Sequence, residues 1–307
     1  MKEIVLALGG GGTKGGAHIG VLRVLEREGF NIRAVSGTSA GAICASLYAF
    51  GYSPDEIQRL MDKATNASLF TRNPSDGPSW SGLRGIRDLL QDALGDSRFE
   101  DLRLPCAMTA VDLNTAERLV LGRGRVIDAV MASIAVPGVF PPFEMDGRVL
   151  VDGGVMDPVP VGVARSLAHS LPVAAVVLSP PIDQWAGVNQ PPSLLGSLPF
   201  LQKYISQLRF SQALNIFMRS VDIGGALLTE LLLEIEKPDV LIRPAVQQIG
   251  LLDQVNIADV ARLGERAAEH ALPELNKVVG WQGRLRRTLR PRNPTEIHLP
   301  YSADFIE

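Results

Sequence analysis

Residues 4–48 constrain this chain more than any other stretch. Ile4 to Leu8 is an unbroken apolar run, the pattern of a strand buried on both faces. Gly9 to Gly16 is a glycine loop. Ala17 to Glu28 has helical period, with apolar Ile19, Val21, Leu22, Val24 and Leu25, and stops at Gly29. A strand-like run, Ile32 to Ser36, and a helix-like run, Ala42 to Tyr48, flank the pentapeptide Gly37-Thr38-Ser39-Ala40-Gly41. Strand, helix, strand, helix in this order predicts right-handed βαβ units and a mostly parallel sheet.

Three features of this frame carry chemistry. Ser39 lies in a G-x-S-x-G turn between strand and helix, which lifts the hydroxyl above the sheet edge; glycines let the backbone turn that tightly. The following helix points its N-terminal dipole at the hydroxyl, where it favours developing negative charge. The glycines after the first strand expose backbone N–H groups, which bind anions at a helix N-terminus. Asp152 ends a strand-like run from Arg148 to Val151 and precedes Gly153 and Gly154. A carboxylate there can take the proton of a serine hydroxyl.

The remaining chain is less regular. From Ser53 to Arg103 a short helix from Pro54 to about Ala64, a Ser/Asn/Pro/Gly-rich stretch from Asn66 to Gly82 and a helix from Leu83 to Leu94 read as a flap between core strands. Strand signals return at Cys106–Val111 and Glu117–Leu121, and a helix fits Val126–Ser133. Val136 to Pro142, with three prolines, must be extended. Val173–Leu178 is a buried strand and Pro180–Pro199 a second Pro-rich loop. Leu201–Glu236 is helical with a break at Gly224-Gly225, Asp239–Ile242 a late strand and Ile257–Leu272 a helix. Asp157 reads as the cap of a helix starting at Pro158, and Asp112 as a turn residue.

Of the 307 residues, 46% are hydrophobic and 21% charged, which suits one large α/β domain or one domain with an inserted lid. A net charge of −3 gives no argument for a nucleic-acid partner. Cys44 and Cys106 read as small buried apolar residues and suit a reducing compartment. Only five apolar residues precede Gly9, too few for a signal peptide, and no apolar run reaches the roughly 18 residues of a spanning helix. The expectation is a cytoplasmic protein, able to touch a membrane surface.

Three ordered motifs, Gly10-Gly11-Gly12-Thr13-Lys14-Gly15, Gly37-Thr38-Ser39-Ala40-Gly41 and Asp152-Gly153-Gly154, resemble those of the patatin-like phospholipases, serine lipid acyl hydrolases. The run from Ala132 to Pro142 looks like that family's segment before its aspartate, and Lys237 to Pro244 like its last core strand. The resemblance covers about residues 3–180 well and weakens towards 272; Lys14 stands where arginine is commoner. It implies a three-layer α/β/α fold with a flap at about 53–103, a catalytic domain over 1–275 and a basic, Pro-containing tail over 276–307. It implies a Ser39–Asp152 dyad without histidine or metal, and an oxyanion hole from Gly10, Gly11 and Gly12, chiefly the last two. Lys14, Gly37, Gly41, Gly153 and Gly154 would support the site, with no cofactor. The substrate would be a phospholipid, lysophospholipid or simpler ester. A non-catalytic lipid-binding protein on the same fold and a transacylase are the alternatives.

Rival chemistries fit less well. Gly10 to Gly15 also matches G-x-G-x-x-G, but the second strand ends at Ser36-Gly37-Thr38-Ser39 rather than at the acidic residue a dinucleotide site needs. A P-loop fails because Gly15 follows Lys14. A Ser–Asp–His triad would need one of His18, His169, His270 and His298. His18, nearest the glycine loop, reads as a satisfied helix histidine. The stripes of Trp80–Leu94 and Leu194–Phe217 read as core faces that could also rim an acyl pocket, and Arg284, Arg286, Arg287, Arg290 and Arg292 as a solvated tail or, alternatively, as a site for anionic lipid head groups.

Overall fold

The computed structural model describes residues 2–66, 82–187, 202–251, 253–281, 283, 285 and 287. Its first half follows the predicted alternation. Strand β1 (Lys2–Leu8) leads through the glycine loop into α1 (Gly16–Arg27), then β2 (Phe30–Gly37) and α2 (Ala40–Phe50). The flap segment contributes α3 (Pro54–Asn66) and α4 (Arg84–Leu94); residues 67–81 lie outside the described residues. Then come β3 (Cys106–Asp112), β4 (Glu117–Leu121), α5 (Val126–Ser133), β5 (Phe143–Met145), β6 (Arg148–Asp152), α6 (Val161–Leu167), β7 (Val173–Val176), α7 (Gln202–Glu236), β8 (Val240–Ile242) and α8 (Ile257–Val279).

One eight-stranded sheet runs β5-β6-β3-β2-β1-β7-β8, with β4 paired to β3. The pairs from β3 through β2, β1 and β7 to β8 are parallel. Beyond β3 the pairs are antiparallel. Side chains alternate across the sheet, as the two-residue period of a strand requires. Ile4, Leu6 and Leu8 join one core with α1, α2, α5 and α8, whereas Val5 and Ala7 join a second core with Val161 and Ala164 of α6. Both faces are therefore covered, giving a three-layer α/β/α architecture. No helix among the described residues is long and apolar enough to cross a membrane.

Register positions the site. The neighbours of β1 are β2 and β7, so the chain departs to opposite sides at the carboxyl end of β1, where open α/β sheets bind ligands. Leu8 pairs with Gly37, which brings the glycine loop beside the elbow. Gly37 pairs with Met108, and Asp152 on the antiparallel β6 pairs with Ala110, two positions further along β3. Three motifs far apart in sequence thus meet at one sheet edge.

Several elements differ from expectation. α7 runs unbroken through Gly224 and Gly225. Two internal glycines cost about 1 kcal/mol each, but Ala226, Thr229 and Leu232 are buried beyond them, and Glu236 at the helix end accepts from Gly162 N–H at 2.9 Å. α8 continues past Leu272 through Pro273 to Val279. A helix-interior proline costs about 3 kcal/mol, an amount that burial of Leu275 and Val279 matches at roughly 1.5–3 kcal/mol each. The Asp146-Gly147 turn, both residues at positive φ, closes a β5–β6 hairpin whose short first strand the alternation pattern missed. Asp157 caps no helix: a 3-10 turn covers Gly153–Val155 and α6 begins only at Val161. The Pro-rich loop forms a 3-10 turn over Ile182–Gly187; its remainder and Trp80 lie outside the described residues.

Candidate active site

Ser39 adopts φ 55° and ψ −123° immediately before α2. Such a conformation costs a non-glycine residue about 1–3 kcal/mol and persists only where its surroundings enforce it. Here they do. Thr38 N–H donates to Leu8 O at 3.1 Å, and Gly41 N–H donates to Thr38 O at 2.9 Å. Thr38 Oγ1 donates to Asp157 O at 2.8 Å and lies 2.6 Å from Thr109 Oγ1. Ser39 N–H donates to Ser133 Oγ at 3.0 Å. The flanking glycines are sterically required: a Cβ on Gly41 would stand 2.0 Å from Leu8 O, and one on Gly37 2.5 Å from Gly41 O.

The glycine loop packs directly on the serine. A Cβ on Gly10 would lie 3.2 Å from Ser39 Cβ. Gly10 N–H, however, donates to Pro158 O at 2.9 Å, so this amide is unavailable to an oxyanion and the expected set of three donors shrinks. The amides of Gly11, Gly12 and Ala40, the last opening α2, have no acceptor among the described residues. The loop is latched from the far side by Thr13, whose N–H donates to Leu251 O at 3.0 Å and whose hydroxyl donates to Gly250 O at 3.0 Å. Gly12, at φ 59°, leaves no room for a side chain against Leu251 O.

Asp152, 5% exposed, presents one carboxylate oxygen to the protein and keeps the other free. Oδ1 accepts from Gly154 N–H at 2.7 Å, and Oδ2 has no partner among the described residues. Burial raises its pKa to about 6, partly opposed by the nearby Ser39 hydroxyl and the Gly154 amide. No Ser39–Asp152 hydrogen bond closes among the described residues, although the Ser39 hydroxyl is near enough to oppose the rise in the Asp152 pKa; catalytic hydrogen bonds often close only once substrate is bound. A Cβ on Gly153 would lie 2.2 Å from Thr109 Oγ1, so Gly153 lets this turn settle against β3.

The other charged residues fall into supporting places. Lys14 sits on the 3-10 turn Gly12–Gly15, its pKa lowered by burial and partly restored by the charges of Asp222 and Asp253. Asp112 accepts from Asn114 N–H at 3.0 Å in the β3–β4 turn and pairs with Arg148. Asp157, fully buried, pairs with Arg118 at 2.7 Å beneath the elbow. His18 Nε2 lies 2.8 Å from Gly9 O, and burial pushes its pKa down to about 4, so the ring is neutral and held by the glycine loop. His169 and His270 are exposed, and His298 lies outside the described residues. Cys44 and Cys106 are free and buried, their thiol pKa values pushed up to about 12.

Beside Ser39 lies an apolar cavity that opens to solvent on one side. Ser39, Ala40, Gly12 and Thr13 stand in its wall, whose surface is almost wholly apolar. Ile19, Ile43, Met61, Leu90, Val136 and Phe140 make the rest apolar. Leu90 and Met61 come from the predicted flap, and Val136 and Phe140 from the proline loop. Sequence patterning had not assigned a site role to Ser133, Thr109 or Arg118. Each contacts the site through a fold-dependent partner distant in sequence. Ser133 does fall in the Ala132–Pro142 run that carries part of the family resemblance.

The family model described as patatin-like phospholipase matches residues 6–165. An uncharacterized NTE family protein of Mycobacterium tuberculosis (strain H37Rv) is 34% identical over 183 residues, covering 56% of this chain and 48% of that protein. Lysophospholipase NTE1 of Yarrowia lipolytica is 29% identical over 294 residues, covering 90% of this chain and 20% of that protein. The chain therefore spans about half the length of the mycobacterial relative and a fifth of the yeast one. Among solved structures, VipD from Legionella pneumophila is similar with a TM-score of 0.49 and 13% identity, covering 90% of this chain and 67% of that one.

Proposed function

The chain belongs to the patatin-like phospholipase family, and from that premise we propose that it hydrolyses carboxylic ester bonds of phospholipids or lysophospholipids, with Ser39 as nucleophile and Asp152 as base. One juxtaposition carries the reading. A serine in an enforced, strained conformation stands in the wall of an apolar cavity, near a buried carboxyl with one oxygen unpartnered, and two loop amides unpaired, among the described residues. The yeast relative's name, a lysophospholipase, supports a lipid ester as substrate.

The chemistry follows from those groups. Ser39 Oγ attacks the ester carbonyl carbon while its proton passes to Asp152 Oδ2. The carbonyl electron pair moves onto oxygen, and the amides of Gly11 and Gly12 donate to that oxyanion. Removing one such donor typically costs about a hundredfold or more in rate. Collapse breaks the bond to the alcohol oxygen, which takes the proton from Asp152, leaving acyl-Ser39. Water then attacks the acyl carbonyl and gives a proton to Asp152. Collapse releases the fatty acid and returns the proton to Ser39. The acyl chain lies along Ile19, Ile43 and Leu90, where it is removed from water at about 25 cal/mol per Å².

The test is hydrolysis of p-nitrophenyl esters from short to long chains, and of a lysophospholipid, by wild type, Ser39→Ala and Asp152→Asn. Both variants should lose activity, and a fluorophosphonate should label Ser39 in wild type alone. Undiminished turnover by Ser39→Ala would refute the proposal.

A further inference from the structure

The carboxyl-terminal end of α5 touches both members of the proposed pair. Ser133 Oγ accepts from Ser39 N–H at 3.0 Å, and two residues on, Ala135 O accepts from Asp152 N–H at 3.0 Å. Ser133 and Ala135 are both fully buried, and Ile134 between them lines the apolar cavity. Three consecutive residues therefore span from the backbone of the serine to the backbone of the aspartate and form part of the wall facing the acyl chain.

From this geometry we propose that Ser133 is a positioning residue: its hydroxyl holds the Ser39 main chain in the strained elbow, and the strut 133–135 sets the spacing between Ser39 and Asp152. The inference rests on the Ser39–Asp152 reading above. Ser39 precedes the first helical residue of α2, so its N–H lies outside the helix's own i→i−4 ladder. Ser133 supplies the acceptor from another element. Occupying the Ser39 amide in this way leaves the next amide, that of Ala40, without an acceptor among the described residues. Without the hydroxyl, Ser39 keeps a buried unpaired donor in a conformation that already stores strain. The elbow then relaxes towards ordinary backbone angles, and Oγ turns away from Asp152. Substrate binding, which depends on the apolar wall, is untouched.

The experiment compares wild type, Ser133→Ala, Ser133→Cys and Ser133→Thr for kcat and KM on a p-nitrophenyl ester, for the second-order rate of fluorophosphonate labelling of Ser39, and for melting temperature. Misplacing a reacting group by about 1 Å costs up to about a hundredfold. Ser133→Ala should therefore lose 10- to 100-fold, by that estimate, in both kcat and labelling rate, with KM within about twofold. Ser133→Thr, which keeps the hydroxyl, should recover most of the loss, and Ser133→Cys, a weaker acceptor, should fall between. Wild-type kcat in Ser133→Ala, or a loss in KM alone, overturns the proposal. So does failure of both Ser133→Ala and Ser133→Cys to fold, which would make the residue structural. Full activity in Ser39→Ala would instead refute the catalytic reading itself. The labelling rate reads Ser39 geometry even where turnover is absent.

Discussion

Asp152→Asn should change how stability depends on pH, besides removing activity. Burial raises the Asp152 pKa from 3.8 to about 6 in the folded protein. The sign follows from linkage. A carboxyl with a higher pKa folded than unfolded binds its proton more tightly in the native state, so ionisation penalises folding. The penalty is absent below the unfolded pKa of 3.8, grows as pH rises, and is complete above the folded value of about 6. At 1.36 kcal/mol per pH unit, the gap corresponds to about 3 kcal/mol. Asparagine has nearly the same shape. Its amide oxygen can still accept from Gly154 N–H, and its amide N–H can donate to the Ser39 hydroxyl, but it carries no charge to penalise. The measurement is urea unfolding of wild type and variant at steps between about pH 4 and pH 8, analysed as the difference between them, in which every other titrating group cancels. That difference should shift in favour of the variant by about 2.5 kcal/mol across the interval, since part of the penalty is already present at pH 4, with most of the shift below pH 7. In parallel, wild-type kcat/KM should rise with pH about a midpoint near 6, because only the ionised carboxylate accepts the serine proton. A stability difference that stays flat through the interval would refute the claim that Asp152 is a buried base held at a cost.

Three further outcomes follow. His18→Gln, which preserves a donor for Gly9 O, should flatten the acid limb of stability. The His18 pKa is depressed to about 4, so its contribution is full above the unfolded value of 6.5 and lost as pH falls from there, as the same urea titration will show. Arg118→Ala strands the fully buried Asp157 charge and should cost about 3–5 kcal/mol, with most of it recovered in the double variant carrying Asp157→Asn; thermal melts provide the check. Gly41→Ala drives a methyl group to 2.0 Å from Leu8 O. It should either prevent folding or displace the elbow, and fluorophosphonate labelling of any folded fraction should fall to background.

The parts of the fold that were legible share a local cause. β1, α1, β2 and α2 were readable because apolar period and glycine punctuation act within a few residues. The break expected at Gly224-Gly225 and the stop expected before Pro273 misled for one reason: a local cost of a few kcal/mol is outweighed once distant contacts anchor the residues beyond it. The β5–β6 hairpin has its turn signal in Asp146-Gly147, but its three-residue first strand gives too little alternation to mark it. Asp157 looked like a cap because it precedes proline; its carboxylate instead meets Arg118, 39 positions away in sequence.

Local patterns in the chain set the order of strands and helices at the amino end, the glycine-flanked serine, and the aspartate at the end of a strand, because turn chemistry and hydrophobic period are properties of neighbouring residues. Only the tertiary contacts pair the Gly10 amide with Pro158 O, leave the Gly11 and Gly12 amides and Asp152 Oδ2 without partners among the described residues, and bury Asp152 enough to raise its pKa to about 6. They also decide that Ser133 holds the serine backbone in place. Hydrogen-bond partners and burial are set by which segments the sheet register brings together, and no local pattern in the chain encodes them.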